Sequence, residues 1–234
     1  MTDGRGMTDG WLAILQFSDG LFPSGGFAHS FGLETYVQDG VVTDRAGLEA
    51  FVVAHLERSA GPADAVAAAV AVSLGAASDV TAWVALDERL EAMKAVPESR
   101  AASRQMGRQT LRIAAALGED ACLSTLARLV DEGLTPGHHA AVFGAALGRA
   151  GAGPQAVAAA FLHSTVVLLV GAGVRLLALG QVEGQRVQAA MRPRIARLAA
   201  AAATATVADM WSFAPGLELA GLRHATLDAR LFRS

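Results

Sequence analysis

The stretch PSGGFAHSFGLETYVQDG (23–40) places His29 and Ser30 side by side among Gly25, Gly26 and Gly32. Glycine, serine and histidine together serve phosphate binding, acyl transfer and metal ligation, so each chemistry has to be tested. A phosphate cradle needs GxxxxGK[ST], or GxGxxG inside a βαβ unit, and neither spacing occurs. Ser30 in AHSFG does not complete the GxSxG elbow of a strand-to-helix nucleophile. On a helix, adjacent residues point about 100° apart, so His29 and Ser30 cannot act as base and nucleophile for each other. The structural reading is stronger: Ser24 caps a helix, the glycines admit a neighbouring backbone, and Phe27 and Phe31 pack at i, i+4. His29 is then a hydrogen-bonded polar group.

Metal ligation fares no better. The six histidines, His29, His55, His138, His139, His163 and His224, include no i, i+4 pair beside a carboxylate, and Cys122 is the only cysteine. Disulfides within the chain, multi-cysteine zinc sites and iron–sulfur sites are thereby excluded. No metal and no cofactor is expected. One electrostatic feature remains. Arg100, Arg104, Arg108 and Arg112 recur at every fourth residue of SRAASRQMGRQTLR, a cationic stripe on one helix face. Like charges at that spacing repel. Either Glu88, Glu91 and solvent offset them, or the stripe is a docking face for an acidic partner.

The elements that must position these residues are helical. Leu48, Phe51, Val52, His55 and Leu56 fall at i, i+3, i+4, i+7, i+8, and similar apolar stripes recur to about residue 208. Asp79 caps one helix, Pro62 opens another in its first turn, Pro97 separates two more, and Pro193 kinks or restarts a long one. No segment alternates as a strand does. The expectation is an all-α protein, a single compact bundle of about eight to ten helices. It has a loose N-terminus (1–10), a helical domain (11–210) and an extended C-terminal tail (211–234). That tail carries Leu217, Leu219, Leu222, Leu227, Leu231 and Phe232, too many apolar residues to stand in water alone. It either docks on its own core or occupies a partner's groove.

Composition sets the outer bounds. Of 234 residues, 53% are hydrophobic and 18% charged, with a formal net charge of −3, which points away from nucleic acid. The apolar run 156–180 is broken by His163 and Arg175, leaving less than the ~20 residues a bilayer span needs. It reads as a core helix, no membrane is expected, and without a signal-like leader the cytoplasm is the expected location.

Four stretches carry a family resemblance. SDGLFPSGGFAHSFGLETYVQ (18–38), SRQMGR (103–108), GQVEGQR (180–186) and SFAPGLELAGLRHATLDARLFRS (212–234) resemble, in order, motifs of the urease accessory proteins of the UreF family. The resemblance implies an all-helical homodimer without catalytic activity. It implies an adaptor that binds the UreD/UreH accessory protein, recruits the UreG GTPase, and promotes nickel insertion into apo-urease. Matched to the family motifs, His29, Glu34, Tyr36, Arg175, Arg223, His224, Arg230, Leu231 and Phe232 would form partner contacts, or Glu34 and Arg175 would form a buried ion pair. Departures stand at Gly20, Ser24, Val182, Glu183, Ala225, Leu227 and Asp228. Two other readings stay open: a helical small-molecule regulator, and a GTPase-activating protein supplying an arginine from Arg175 or the stripe.

Overall fold

The computed structural model describes residues 4–234. Among the described residues the chain is all-α, with no strand. The helices are α1 (Gly4–Ser18), α2 (Leu33–Gln38), α3 (Arg45–His55), α4 (Val66–Ala77), α5 (Val80–Met93), α6 (Pro97–Ala116), α7 (Ala121–Asp131), α8 (His139–Arg149), α9 (Pro154–Leu176), α10 (Gln181–Thr204) and α11 (Pro215–His224). A π-helical segment, Leu56–Ala65, joins α3 to α4 without a break, giving one helix of 33 residues.

Local chemistry starts these helices where the sequence indicates. Asp44, Asp79 and Asp120 each accept from the backbone N–H three residues on, filling one of the donors a helix N-terminus leaves open. Pro97, Pro154 and Pro215 sit in first turns, where the missing N–H costs nothing.

Small residues set the packing. α4 and α8 cross so closely that a Cβ on Gly75 would lie 2.7 Å from the Ala145 carbonyl oxygen, and one on Gly144 would overlap the Ala68 carbonyl. α9 lies between α10 and α4, and its Val157, Leu162, Val166 and Leu169 are wholly buried. Both Arg45–Ala77 and α9 are long and apolar enough to cross a bilayer, yet more than half of each apolar window is buried inside the protein. That is how a core helix behaves.

Four expectations are revised. Residues 1–3 of the loose N-terminus lie outside the described residues, but from Gly4 the chain is helical. Pro62 does not open a helix; it sits inside the π segment. Residues 23–32 form turns and a single 3₁₀ turn, Gly26–Ala28, because Gly25, Phe31 and Gly32 all take positive φ. Phe27 is therefore turned out to solvent at 72% exposure rather than stacked on Phe31. The tail is not extended: it folds back as α11 and continues to a buried Ser234.

Replacing Gly144 with alanine forces a methyl into the Ala68 carbonyl. Overpacking of this kind costs about 1–3 kcal/mol, so Gly144→Ala lowers the thermal midpoint by several degrees. Scanning calorimetry measures it directly.

Candidate functional site

The opening motif and the tail meet. α2 begins at Gly32, whose left-handed φ of 89° turns the chain sharply. A Cβ there would lie 3.3 Å from the Gly221 nitrogen and the Leu217 carbonyl oxygen of α11. Glycine at 32 thus serves two purposes, the turn and the close approach. Behind it, Thr35 Oγ1 donates to the Ala220 carbonyl at 2.9 Å, and the Tyr36 hydroxyl lies against Gly216.

At the centre sits Glu34, 2% exposed. Its Oε1 accepts from the Leu231 N–H at 2.6 Å, and its Oε2 from the Phe232 N–H at 3.1 Å and from His224 Nε2 at 3.0 Å. The other face of His224, through Nδ1, reaches Glu98 Oε2 at 2.7 Å, while Arg230 holds Glu98 Oε1 at 2.9 Å. The cluster sets the carboxyl groups of Glu34 and Glu98 around the His224 ring and Arg230. A buried charge is tolerable only when paired and hydrogen-bonded in this way. At the rim, Arg223 grips Asp39 through both guanidinium nitrogens, at 2.6 and 3.0 Å.

Beyond the clasp, the last residues thread back against the motif. The Ser234 carbonyl accepts from the Ser30 and Phe31 N–H groups and from Ser30 Oγ; Ser234 Oγ lies 2.8 Å from His29 Nδ1. Ser30 is wholly buried and committed to that bond, so it is no nucleophile. Arg175 donates to the Phe27 carbonyl at 2.8 Å and lays its guanidinium 4.3 Å above the Phe232 ring, a cation–π contact. The expected Glu34–Arg175 pair does not form. His224 and two tail N–H groups occupy the carboxylate instead, since the folded-back tail brings them closer than α9 can come.

All nine residues proposed from the family motifs thus fall in one clasp between α2, α9, α11 and the tail. The arginine stripe does not join them, and it divides. Arg100 and Arg104 pair with Glu91, which also accepts from His138 Nε2 at 2.9 Å. Arg108 and Arg112 stay exposed, without an ion-pair partner among the described residues. Glu88 is exposed and offsets neither. Three participants escaped the sequence reading: Glu98, Asp39 and Asp87. Asp87 is wholly buried and accepts from Thr135 Oγ1, the Gly137 N–H and the His138 N–H at 2.6–2.7 Å, knotting the loop before α8. Each is an ordinary acidic residue on an amphipathic helix or at its end, with no local signal to mark it. His138, which reads as a routine first-turn residue, is fully buried by this knot.

A cavity of about 270 Å³ lies beneath the opening motif, with Phe31, His55, Lys94, Met106, His139 and Ser212 among its lining residues. Burial lowers the pKa of His29, His55 and His139 to about 4. Burial works against ionisation of Glu91, but hydrogen bonds from Arg104 and His138 outweigh it and hold the carboxyl below its usual range. No three His, Cys, Asp or Glu side chains converge to hold a metal ion among the described residues.

Among the described residues this is a strandless helical bundle whose terminal segment is clasped to its opening motif, with Ser30 bonded to the Ser234 carbonyl. The UreF family model matches residues 42–192. Proteins named urease accessory protein UreF align along nearly the whole chain. That of Jannaschia sp. is 32% identical over 237 residues, covering all of both chains. That of Methylobacterium radiotolerans is 36% identical, covering 91% of this chain and 92% of its own. That of Bacillus sp. strain TB-90 is 29% identical over 95% and 98%. This chain belongs to the UreF family of urease accessory proteins.

Two outcomes follow from the geometry. Glu34→Ala strips the charge from beside His224 and leaves two tail N–H groups unanswered. Breaking a buried pair costs about 3–5 kcal/mol, so the urea midpoint falls sharply, with hydrogen exchange quickening first over 215–234. Acid acts through the buried histidines: unfolded histidine binds a proton near 6.5, but these three only near 4. Stability is therefore kept above pH 6.5 and lost as pH falls from 6.5 towards 4. The loss is up to about 1.4 kcal/mol per pH unit for each histidine. Urea titrations at pH 7 and 5 check it, and His55→Gln flattens the slope.

Proposed function

We propose that this protein is a non-catalytic adaptor in urease maturation. It binds the UreD/UreH accessory protein, and the pair recruits the UreG GTPase and promotes nickel insertion into apo-urease. The chain acts in the cytoplasm as a homodimer, without a cofactor of its own.

One observation carries the partner-binding reading. α11 presents leucines to solvent beside its charged Glu218 and Arg223. Its inner face, Ala220, Gly221 and His224, is locked into the clasp, while Leu219 and Leu222 on its outer face are 58% and 52% exposed. Neighbouring exposed leucines on a surface helix suit contact with a second protein. Phe213 before it (68% exposed) and Leu231 after it (63%) add to the apolar surface of the same segment. The motif residues His29, Glu34, Tyr36, Arg175, Arg223, His224, Arg230 and Phe232 shape that surface from behind, and Leu231 stands on it. In this reading the clasp presents a preformed docking element to UreD/UreH.

The arginine-donor reading has its own support. Arg175 is committed to Phe27 and Phe232, so Arg108 and Arg112 are the stripe members free to reach a second protein. They fit docking of an acidic surface, which adds rate and specificity more than affinity.

Size-exclusion chromatography with light scattering tests the adaptor. Full-length chain co-elutes with UreD/UreH, and Leu219→Arg/Leu222→Arg weakens the complex at least about tenfold while the thermal midpoint holds, because both side chains face water. Failure of well-folded full-length chain to bind overturns the reading. With UreG added, Arg108→Ala/Arg112→Ala changes GTP turnover only modestly. A loss of about 10³-fold or more would instead identify an arginine finger.

A further inference from the structure

The cavity beneath the opening motif holds more polar chemistry than packing requires. His55 ends α3 and His139 begins α8, and both line it. Each imidazole is flanked by two phenylalanine rings. His55 has Phe31 and Phe51 at 6.0 and 6.5 Å between centroids, and His139 has Phe143 and Phe161 at 5.7 and 5.5 Å. Neither imidazole has a hydrogen-bond partner among the described residues, and burial keeps both neutral at pH 7. A neutral imidazole offers one donor and one acceptor. Ser18, a third lining residue, has a buried hydroxyl that is likewise unpartnered.

Charge is cancelled inside. Lys94 Nζ bonds Asp64 Oδ1 at 2.7 Å, and both residues line the cavity. The other charged lining residues, Asp19, Arg175 and Glu218, reach solvent. Phe17 and Phe22, stacked at 4.7 Å, join Phe31, Phe161, Leu90 and Leu168 in giving the walls flat apolar surface. At about 270 Å³ the space equals about nine waters' share of the liquid. That suits one small ring system rather than a drug-sized molecule. Exposed lining residues, Phe27 and Asp19 among them, leave the cavity open to solvent, so entry needs no movement of the chain.

We propose that this cavity binds a small, uncharged, planar molecule carrying both a donor and an acceptor, an aromatic amide or a nitrogen heterocycle. Its ring lies against the phenylalanine walls, and its polar groups pair with the imidazoles of His55 and His139. Such a ligand displaces loosely held water from apolar surface. It also gives the two imidazoles the partners that the fold withholds. A charged ligand is disfavoured, because no unpaired opposite charge waits for it inside.

Nicotinamide and 2-pyridone are the probes, titrated into full-length chain at pH 7 and followed by NMR, with benzoate as a charged aromatic of similar size. Molecules this small are expected to bind with a Kd of about 1 mM, and benzoate at least about tenfold more weakly. His55→Leu/His139→Leu replaces both imidazoles with apolar groups of similar volume. It is expected to weaken both probes at least about tenfold while the thermal midpoint holds or rises, because two unpartnered polar groups leave the interior. Purely structural histidines would leave probe binding unchanged. Failure of both probes to bind the unmodified chain overturns the proposal. Equal affinities in the double variant overturn it too, as does benzoate binding as tightly as nicotinamide. Should the double variant misfold, long-range proton–nitrogen spectra of the unmodified chain decide. Either probe then moves the ring-nitrogen signals of His55 and His139, and unmoved signals overturn the site.

Discussion

A carboxylate cannot be left unpaired in an apolar interior, and Glu34 is buried on the first turn of a six-residue helix. Everything around it answers that constraint. Three donors arrive from the C-terminal segment, nearly two hundred residues away in sequence: the His224 ring and the Leu231 and Phe232 backbone. His224 then requires Glu98, and Glu98 takes Arg230. The clasp therefore ties α2, the start of α6, α11 and the last residues into one hydrogen-bonded unit. Such a unit is expensive to half-dismantle, because removing any member strands another in low dielectric. It also gives α11 a fixed inner face, which leaves Leu219 and Leu222 turned to solvent.

The bundle that carries the clasp rests on a different economy. Alanine and glycine at the α4–α8 crossing bring backbones together, gaining contact area without large side chains. Close packing of this kind leaves little room for error, yet a cavity persists under the opening motif. Its walls include α1, the π segment, α5, α6, α9 and the stretch around Ser212 and Ala214. Pro62 is locally unfavourable for an α-helix interior, and the chain takes π geometry around it.

Much of the fold was legible. Helical periodicity located most helices and Asp79 marked the start of one, because these signals are local and a cap works within one turn. Pro62 does not break the helix, because the chain switches to π geometry around it. His138 carries no signal in its own turn; its burial follows from the bonds that Asp87 makes to the loop before α8. Arg175 was offered to Glu34 on charge alone; the ring of Phe232 took it instead. Half of the arginine stripe was answered by Glu91, and the exposed Glu88 showed that sharing a helix with Glu91 does not decide which acid answers it.

The sequence by itself determined the all-α class, the absence of phosphate-loop and nucleophile-elbow motifs, and membership of the UreF family. Those follow from periodicity, residue spacing and motif order, all readable along one dimension. The tertiary structure alone decided that the tail folds home, that Glu34 pairs with His224, that Asp87 knots a loop and that the Phe213 N–H bonds the Arg58 carbonyl. Each of these joins partners about fifty to two hundred residues apart. Sequence patterns report how a residue relates to its own turn of helix; they do not report which distant donor reaches a buried acceptor first.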